Sequence, residues 1–257
     1  GRAGPDPAAG LSEGVNAYDA CIVGAGASGC EAAVRLADRG YRVLLVSTSL
    51  DTVFAPGVAR LQATFPEDSF AASLGAEFVV DEDGMVAGWD VHAAAKYALE
   101  RHSGIHLLQS NVDALVTEAV GGLERVVGIE TWEGVGQGAR VTALCVGPFL
   151  QARVRIGRAE EHAGRPGEMA YDELADDLIA RGVPLVQETH AGGGEGAPEW
   201  TGRFVRFADE RMNGTRVVGF EGLHAAGVVA RGPMSYAEAA HAGRVLAADL
   251  EAALHVL

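Results

Sequence analysis

The chain of 257 residues has one lysine, Lys96, only three cysteines, and no apolar run approaching the roughly 18 to 20 residues of a membrane-spanning helix. A lone lysine with no activating neighbour in sequence sets aside a Schiff-base mechanism. Cys21, Cys30 and Cys145 are odd in number, contain no C-x-x-C pair, and fall among apolar residues of expected strands or helices, so buried structural thiols are expected. No G-x-S-x-G or G-K-[ST] occurs, which removes the hydrolase and P-loop readings. His102 and His106 are interrupted by Gly104, and His162, His190 and His241 stand alone, so no metal site is expected. Positive charge is also short. Twenty basic residues against 35 acidic give a net charge of -15, a field that repels phosphate backbones, and tight nucleic-acid binding by the chain alone is not expected. The opening GRAGPDPAAGLSEGVNA has neither hydrophobic periodicity nor the apolar segment of a signal peptide. It reads as a flexible tail, residues 1–17, of a cytoplasmic protein without membrane contact.

What is present begins with 48% hydrophobic residues, enough for an ample core. YDACIVG at 18–24 and YRVLLVS at 41–47 read as strands. Between them CEAAVRLADR has helical spacing and Gly40 as its stop, a βαβ unit that commits the fold to a parallel sheet. WDVHAAAKYALERH at 89–102 predicts a helix and IHLLQ at 105–109 another strand. Residues 112–146 predict a three-stranded meander, with Gly-Gly and GVGQG as turns. A polar, Arg-rich excursion over 151–167 follows, then a helix in YDELADDLIARG and a strand at VPLVQET. AGGGEGAPEW is expected to be a mobile loop or a lid. RVVGFEGLHAAGVVA predicts a pair of short strands, and SYAEAAHAGRVLAADLEAAL a long helix.

Gly24, Gly26 and Gly29 form G-x-G-x-x-G between strand and helix, the context a dinucleotide fingerprint requires. The acid that usually bonds the ribose should end the second strand, yet Ser47, Thr48 and Ser49 stand there. No arginine lies between Ser47 and Ala59 to build a 2'-phosphate pocket, so hydroxyls in place of the acid are the other reading. This motif alone leaves NAD, NADP and FAD open. EGLHAAGVVARGPMSYAEAAHAGRVLAADL separates them: it pairs a short strand ending in Gly227 with a helix beginning near Ser235, as flavoproteins of the glutathione-reductase type do where they present amides to the flavin. With the meander, this makes FAD the expected cofactor. The expected fold is α/β, a Rossmann-like FAD-binding fold of the glutathione-reductase type with a central parallel sheet and an inserted three-stranded β-meander. It would span 18–257 as a single domain, with 151–215 as a substrate-side excursion.

GAGASGCEAA, VLLVSTSLDTV, ALCVGPFLQARVRIG, HAGRPGE, and GLHAAG followed by SYAEAA resemble, in this order, the glucose-inhibited division protein A flavoproteins, bacterial enzymes that modify the wobble uridine of tRNA using FAD. The resemblance implies that Gly24, Ala25, Gly26, Ala27, Ser28 and Gly29 cradle the pyrophosphate and that Ser47 and Thr48 approach the adenosine ribose. It puts Val112 at the adenine through its backbone, Val146 and Gly147 along the cofactor groove, and Gly227, Val228, Ser235 and Tyr236 along the ribityl chain and ring. Arg153 and Arg165 fall where the family gathers substrate contacts. The family's Cys-Asn-Pro signature is missing, FAPGVARLQATF standing at 54–65. The length also leaves no room for the family's nicotinamide-binding insertion or its C-terminal helical region. The resulting expectation is an FAD-dependent oxidoreductase acting on a small-molecule substrate, its electron donor unassigned. The alternative is a non-catalytic FAD-binding subunit or accessory protein linked to wobble-uridine modification.

Overall fold

The structure, a computed structural model, describes residues 18–194 and 197–256; the tail expected at 1–17 lies outside them. β1 (Tyr18–Val23), α1 (Ala27–Asp38) and β2 (Val43–Ser47) form the βαβ unit, with β1 and β2 parallel and paired Ala20 to Val43 through Val23 to Val46. Every residue of β2 is buried, as expected of a parallel strand covered on both faces. β3 (Arg60–Gln62) and β4 (Met85–Ala87) make a small antiparallel ribbon, with α2 (Phe70–Ser73) in the intervening chain. α3 (Gly88–Arg101) then crosses back to β5 (Ile105–Gln109), parallel to β2.

The meander is β6 (Val112–Val120), β7 (Leu123–Thr131) and β8 (Gly136–Leu144), antiparallel in sequence order. Its last strand belongs to two layers. Gly136–Gly138 pair with β7, while Ala139–Leu144 pair in parallel with β1. The chain continues through β9 (Arg153–Ile156), β10 (Ala159–Glu161), the ribbon β11 (Ala163–Arg165) and β12 (Glu168–Met169), and α4 (Asp172–Ala180). β13 (Leu185–Gly194) and β14 (Ala197–Phe207) form a long hairpin, and β10, β9, β14 and β13 lie in that order in a four-stranded sheet. β15 (Met212–Asn213), β16 (Arg216–Val217), β17 (Phe220–Glu221) and β18 (Leu223–Ala225) precede α5 (Val228–Arg231) and α6 (Tyr236–Val256). The central sheet runs β15-β16-β18-β8-β1-β2-β5, parallel from β18 to β5.

Alternation along β1 divides the core. Ala20 and Ile22 face a cluster shared with α1, α3 and α6; Cys21 and Val23 face one shared with the meander and α4. With α1, α3 and α6 on one face of the sheet and the meander and α4 on the other, the chain forms a layered α/β fold around a largely parallel sheet.

The excursion at 151–167 is less irregular than its composition implied, since it supplies β9, β10 and β11. AGGGEGAPEW is not a free loop. Its residues extend the β13–β14 ladder, with Ala191 opposite Thr201 and Gly192 opposite Trp200, and only Glu195 and Gly196 fall outside the described residues. These glycines serve close approach: a Cβ on Gly192 would lie 2.5 Å from the Trp200 ring. The strand expected to end in Gly227 ends at Ala225, and the one-turn α5 intervenes before α6.

Candidate functional site

A cleft of about 200 Å³, open to solvent, lies beyond the carboxyl ends of β1, β2, β8 and β18, where open α/β sheets bind their ligands. Three features of the first turn build its floor. Gly24 has φ +104°, and a Cβ there would sit 2.3 Å from the Cys145 carbonyl oxygen, so the turn is closed to any side chain. Gly29 packs against the Gly24 carbonyl behind the cleft wall, bringing α1 close to the strand. Gly26 caps α1 with extended backbone, φ -81°, and a Cβ there would meet nothing within 4 Å. The amino end of α1 therefore opens onto space that a side chain, or a pyrophosphate, would fill.

Around this turn the cleft gathers Gly24, Ala25, Gly26, Ala27, Ser28, Ser47, Thr48, Val146, Gly147, Gly227, Val228, Ser235 and Tyr236 from the expected cofactor residues, and Arg165 from the expected substrate residues. Ser28 Oγ donates to the Ala239 carbonyl at 2.8 Å, tying α1 to α6 at the cleft. Ser235 forms a capping box with Glu238: its N–H and its hydroxyl both donate to the carboxylate at 2.7 Å, and the hydroxyl accepts the Glu238 N–H. Ser47 is buried and its hydroxyl donates to the Ser49 carbonyl, leaving Thr48 the more exposed of the two. Tyr236 packs edge-on to Phe54 and Phe65. Its hydroxyl is buried without a partner among the described residues, a polar atom at the cleft that a bound group could satisfy.

Two further expected residues are not brought to the cleft. Val112 opens β6 with its side chain in the core, and Arg153 points to the outer sheet, its guanidinium donating to Asp172 at 2.8 Å. Arg153, Arg155 and Arg203 line a separate concavity there. Sequence reasoning passed over Glu168 and Tyr171. Glu168 stands opposite Arg165 in the β11–β12 ribbon, so a turn at Pro166–Gly167 delivers both side chains to the cleft. The signal was the R-P-G-E spacing itself. The Arg165 guanidinium lies over the Phe149 ring and donates to the Ala55 carbonyl; its Nε is 3.6 Å from the Glu168 carboxylate.

Cys145 lines the cleft, but all three cysteines are buried, and burial pushes the Cys145 thiol up to about 12. A thiolate nucleophile is not available there. Among the described residues no group of three or more His, Cys, Asp or Glu side chains is arranged to hold a metal. Among them, too, no helix is long and apolar enough to cross a membrane.

A glycine turn at the head of α1, faced across an elongated cleft by the amino ends of α5 and α6, defines a dinucleotide-binding flavoprotein of the Rossmann-like class. The chain belongs to the family described as Glucose inhibited division protein A, whose sequence profile matches residues 19–57 and 86–188, more than half of its length. FAD is the cofactor of these flavoproteins. One relative, the tRNA uridine 5-carboxymethylaminomethyl modification enzyme MnmG of Syntrophobacter fumaroxidans, is 30% identical over 197 residues, 66% of this chain and 30% of that protein. The chain thus spans about a third of the length of the curated relatives it matches. The crystal structure of the GidA-related protein from Thermus thermophilus is similar over 94% of this chain and 100% of its own, at 35% identity and a TM-score of 0.80. Aquifex aeolicus GidA shares the fold at 13% identity, with a TM-score of 0.79, over 96% of this chain and 65% of its own.

Proposed function

We propose that the chain is an FAD-dependent oxidoreductase of the GidA-related type, with residues 18–257 as one FAD-binding unit. The observation that carries this is Gly26, whose missing side chain leaves open the space at the amino end of α1, inside a cleft that continues to Ser47 and Thr48 on one side and to Gly227, Val228, Ser235 and Tyr236 on the other. Amides of the Gly24–Gly29 turn and the α1 dipole would hold the pyrophosphate, and Thr48, with Ser47 at its base, would approach the ribose. Val112 would serve the adenine through its backbone, outside the cleft proper. The amino end of α6, fixed by the Ser235–Glu238 box, would face the electron-rich edge of the flavin ring, with the Tyr236 hydroxyl as a donor.

When bound, FAD supplies two-electron chemistry. The chain contributes orientation, through the glycine turn and the α5–α6 entry, and a ring mouth lined by Phe149, Arg165 and Tyr171 where a small-molecule substrate could sit. Arg165, held by Phe149 and the Ala55 carbonyl, is the substrate contact we assign; Arg153, already paired with Asp172, is not.

A second reading has its own support. The MnmG relatives are named for tRNA modification, and a chain lacking an accessible thiol in the cleft could keep FAD as a non-catalytic accessory of that process. Anaerobic reduction of the purified protein, followed by reoxidation with a panel of acceptors, separates the two. A flavin that bleaches and recovers over repeated cycles supports the oxidoreductase; one that no reductant bleaches supports the accessory. In neither case is the chain alone, at net charge -15, expected to retain tRNA at physiological salt.

A further inference from the structure

Among the described residues lining the cleft only Arg165 and Glu168 carry charge, and no histidine or lysine joins them. Flavin reduction adds protons as well as electrons, so some group must exchange them with the ring's surroundings. The other ionisable groups at the cleft are unfit for this near neutral pH. Burial pushes the Tyr171 and Tyr236 hydroxyls far up, and the Cys145 thiol up to about 12. The guanidinium of Arg165 does not deprotonate in proteins.

Glu168 differs from all of these. Its side chain is only 18% exposed, its partner Arg165 lies beyond hydrogen-bond distance at 3.6 Å, and the register of the ribbon aims both into the cleft. Burial raises its pKa and Arg165 lowers it, with burial the larger effect. Behind the ribbon the remaining charges are engaged elsewhere. Glu161 accepts the Gly167 N–H, Arg153 is held by Asp172, and Arg203 faces Glu160 at 3.8 Å. His190 is half-buried in the neighbouring hairpin, where burial and Arg165 both hold its pKa down.

We propose that Glu168 is the proton-exchanging group of the flavin cleft, taking up one proton from solvent when the bound flavin receives two electrons. The proposal rests on the FAD reading given above. The balance is simple. With FAD bound, an external donor would supply two electrons and one proton, and the amino end of α6 would favour the negative charge that remains on the reduced group. With the ring at the mouth of the cleft that Arg165 and Glu168 line, that charge would draw a second proton from solvent onto the poorly solvated Glu168 carboxylate, neutralising it. Burial, partly offset by Arg165, sets the pH at which this occurs.

The test uses the FAD-loaded protein and Glu168→Gln, reduced stepwise with dithionite against reference dyes at several pH values from roughly 5 to 8, the span of ordinary and raised carboxyl values. One proton per two electrons changes the midpoint potential by about 30 mV per pH unit, the tenfold constant of a two-electron couple. The unsubstituted protein should therefore show a slope steeper than Glu168→Gln by about 30 mV per pH unit within that window. Equal slopes in two proteins that both hold FAD would overturn the proposal while leaving the FAD reading standing. An unsubstituted protein that holds no FAD would overturn both. Should Glu168→Gln fail to fold, the reduced-minus-oxidised infrared spectrum of the unsubstituted protein decides: a protonated-carboxyl band appearing on reduction supports the assignment, and its absence refutes it.

Discussion

Gly24 and Gly26 share one motif, and the structure gives them opposite tolerances. A methyl on Gly24 would strike the Cys145 carbonyl from a backbone at φ +104°, so Gly24→Ala should damage the fold itself, by several kcal/mol in denaturant. Gly26 has backbone angles any residue can adopt and open space beyond, so Gly26→Val should melt within a few degrees of the parent while losing the cofactor. Chemical denaturation of both apo proteins checks the contrast; equal loss of stability would mean that Gly26 is structural. Spacing gave the tight turn to Gly24 and the open approach to Gly26; what it did not reveal is the Cys145 carbonyl that closes Gly24 to a side chain. The same limit hid Glu168. It stood in a quoted motif without a role until the ribbon register put it opposite Arg165.

At the scale of elements, α6 is held against α1 by small residues. A Cβ on Gly243 would lie 2.5 Å from the Ser28 carbonyl oxygen and 2.7 Å from the Glu31 Cβ. Gly243→Val should push α6 off α1 and, because Ser28 and Ser235 both line the cleft, weaken FAD retention together with stability. A variant that melts lower but binds FAD as tightly would uncouple helix packing from the cleft. The parallel βαβ unit, the crossover to β5, the meander and the long closing helix were legible because each carries its own period and its own glycine punctuation. The hairpin β13–β14 was only half legible. Gly192 and Gly193 read as loop signals, whereas they lie in a strand whose partner places Trp200 over one and the Pro198 carbonyl against the other. Composition cannot distinguish glycine used for freedom from glycine used for close contact.

Across the whole molecule, one buried chain of polar groups joins α6 to the far edge of the central sheet. Thr215 Oγ1 donates to Asp249 at 2.6 Å, so it can only accept from His224, 3.0 Å away, and His224 Nδ1 carries the proton. Burial lowers the His224 pKa to about 4, with Asp249 raising it and Arg216 lowering it as smaller effects. The unfolded imidazole titrates near its ordinary value of about 6.5, so as pH falls the unfolded chain is protonated first. Stability from this group is intact above about pH 6.5 and is lost between there and about pH 4, by on the order of 3 kcal/mol. Urea unfolding of the parent and His224→Asn across that interval should show the parent falling more steeply; parallel curves would remove His224 as the cause. The central claim, that the cleft holds one FAD, meets its most direct test in the nucleotide released when the purified protein is denatured. The account predicts FAD in near-equal amount to the protein and almost none from Gly26→Val; release of NAD, or of no nucleotide even after incubation of the refolded protein with FAD, would contradict it.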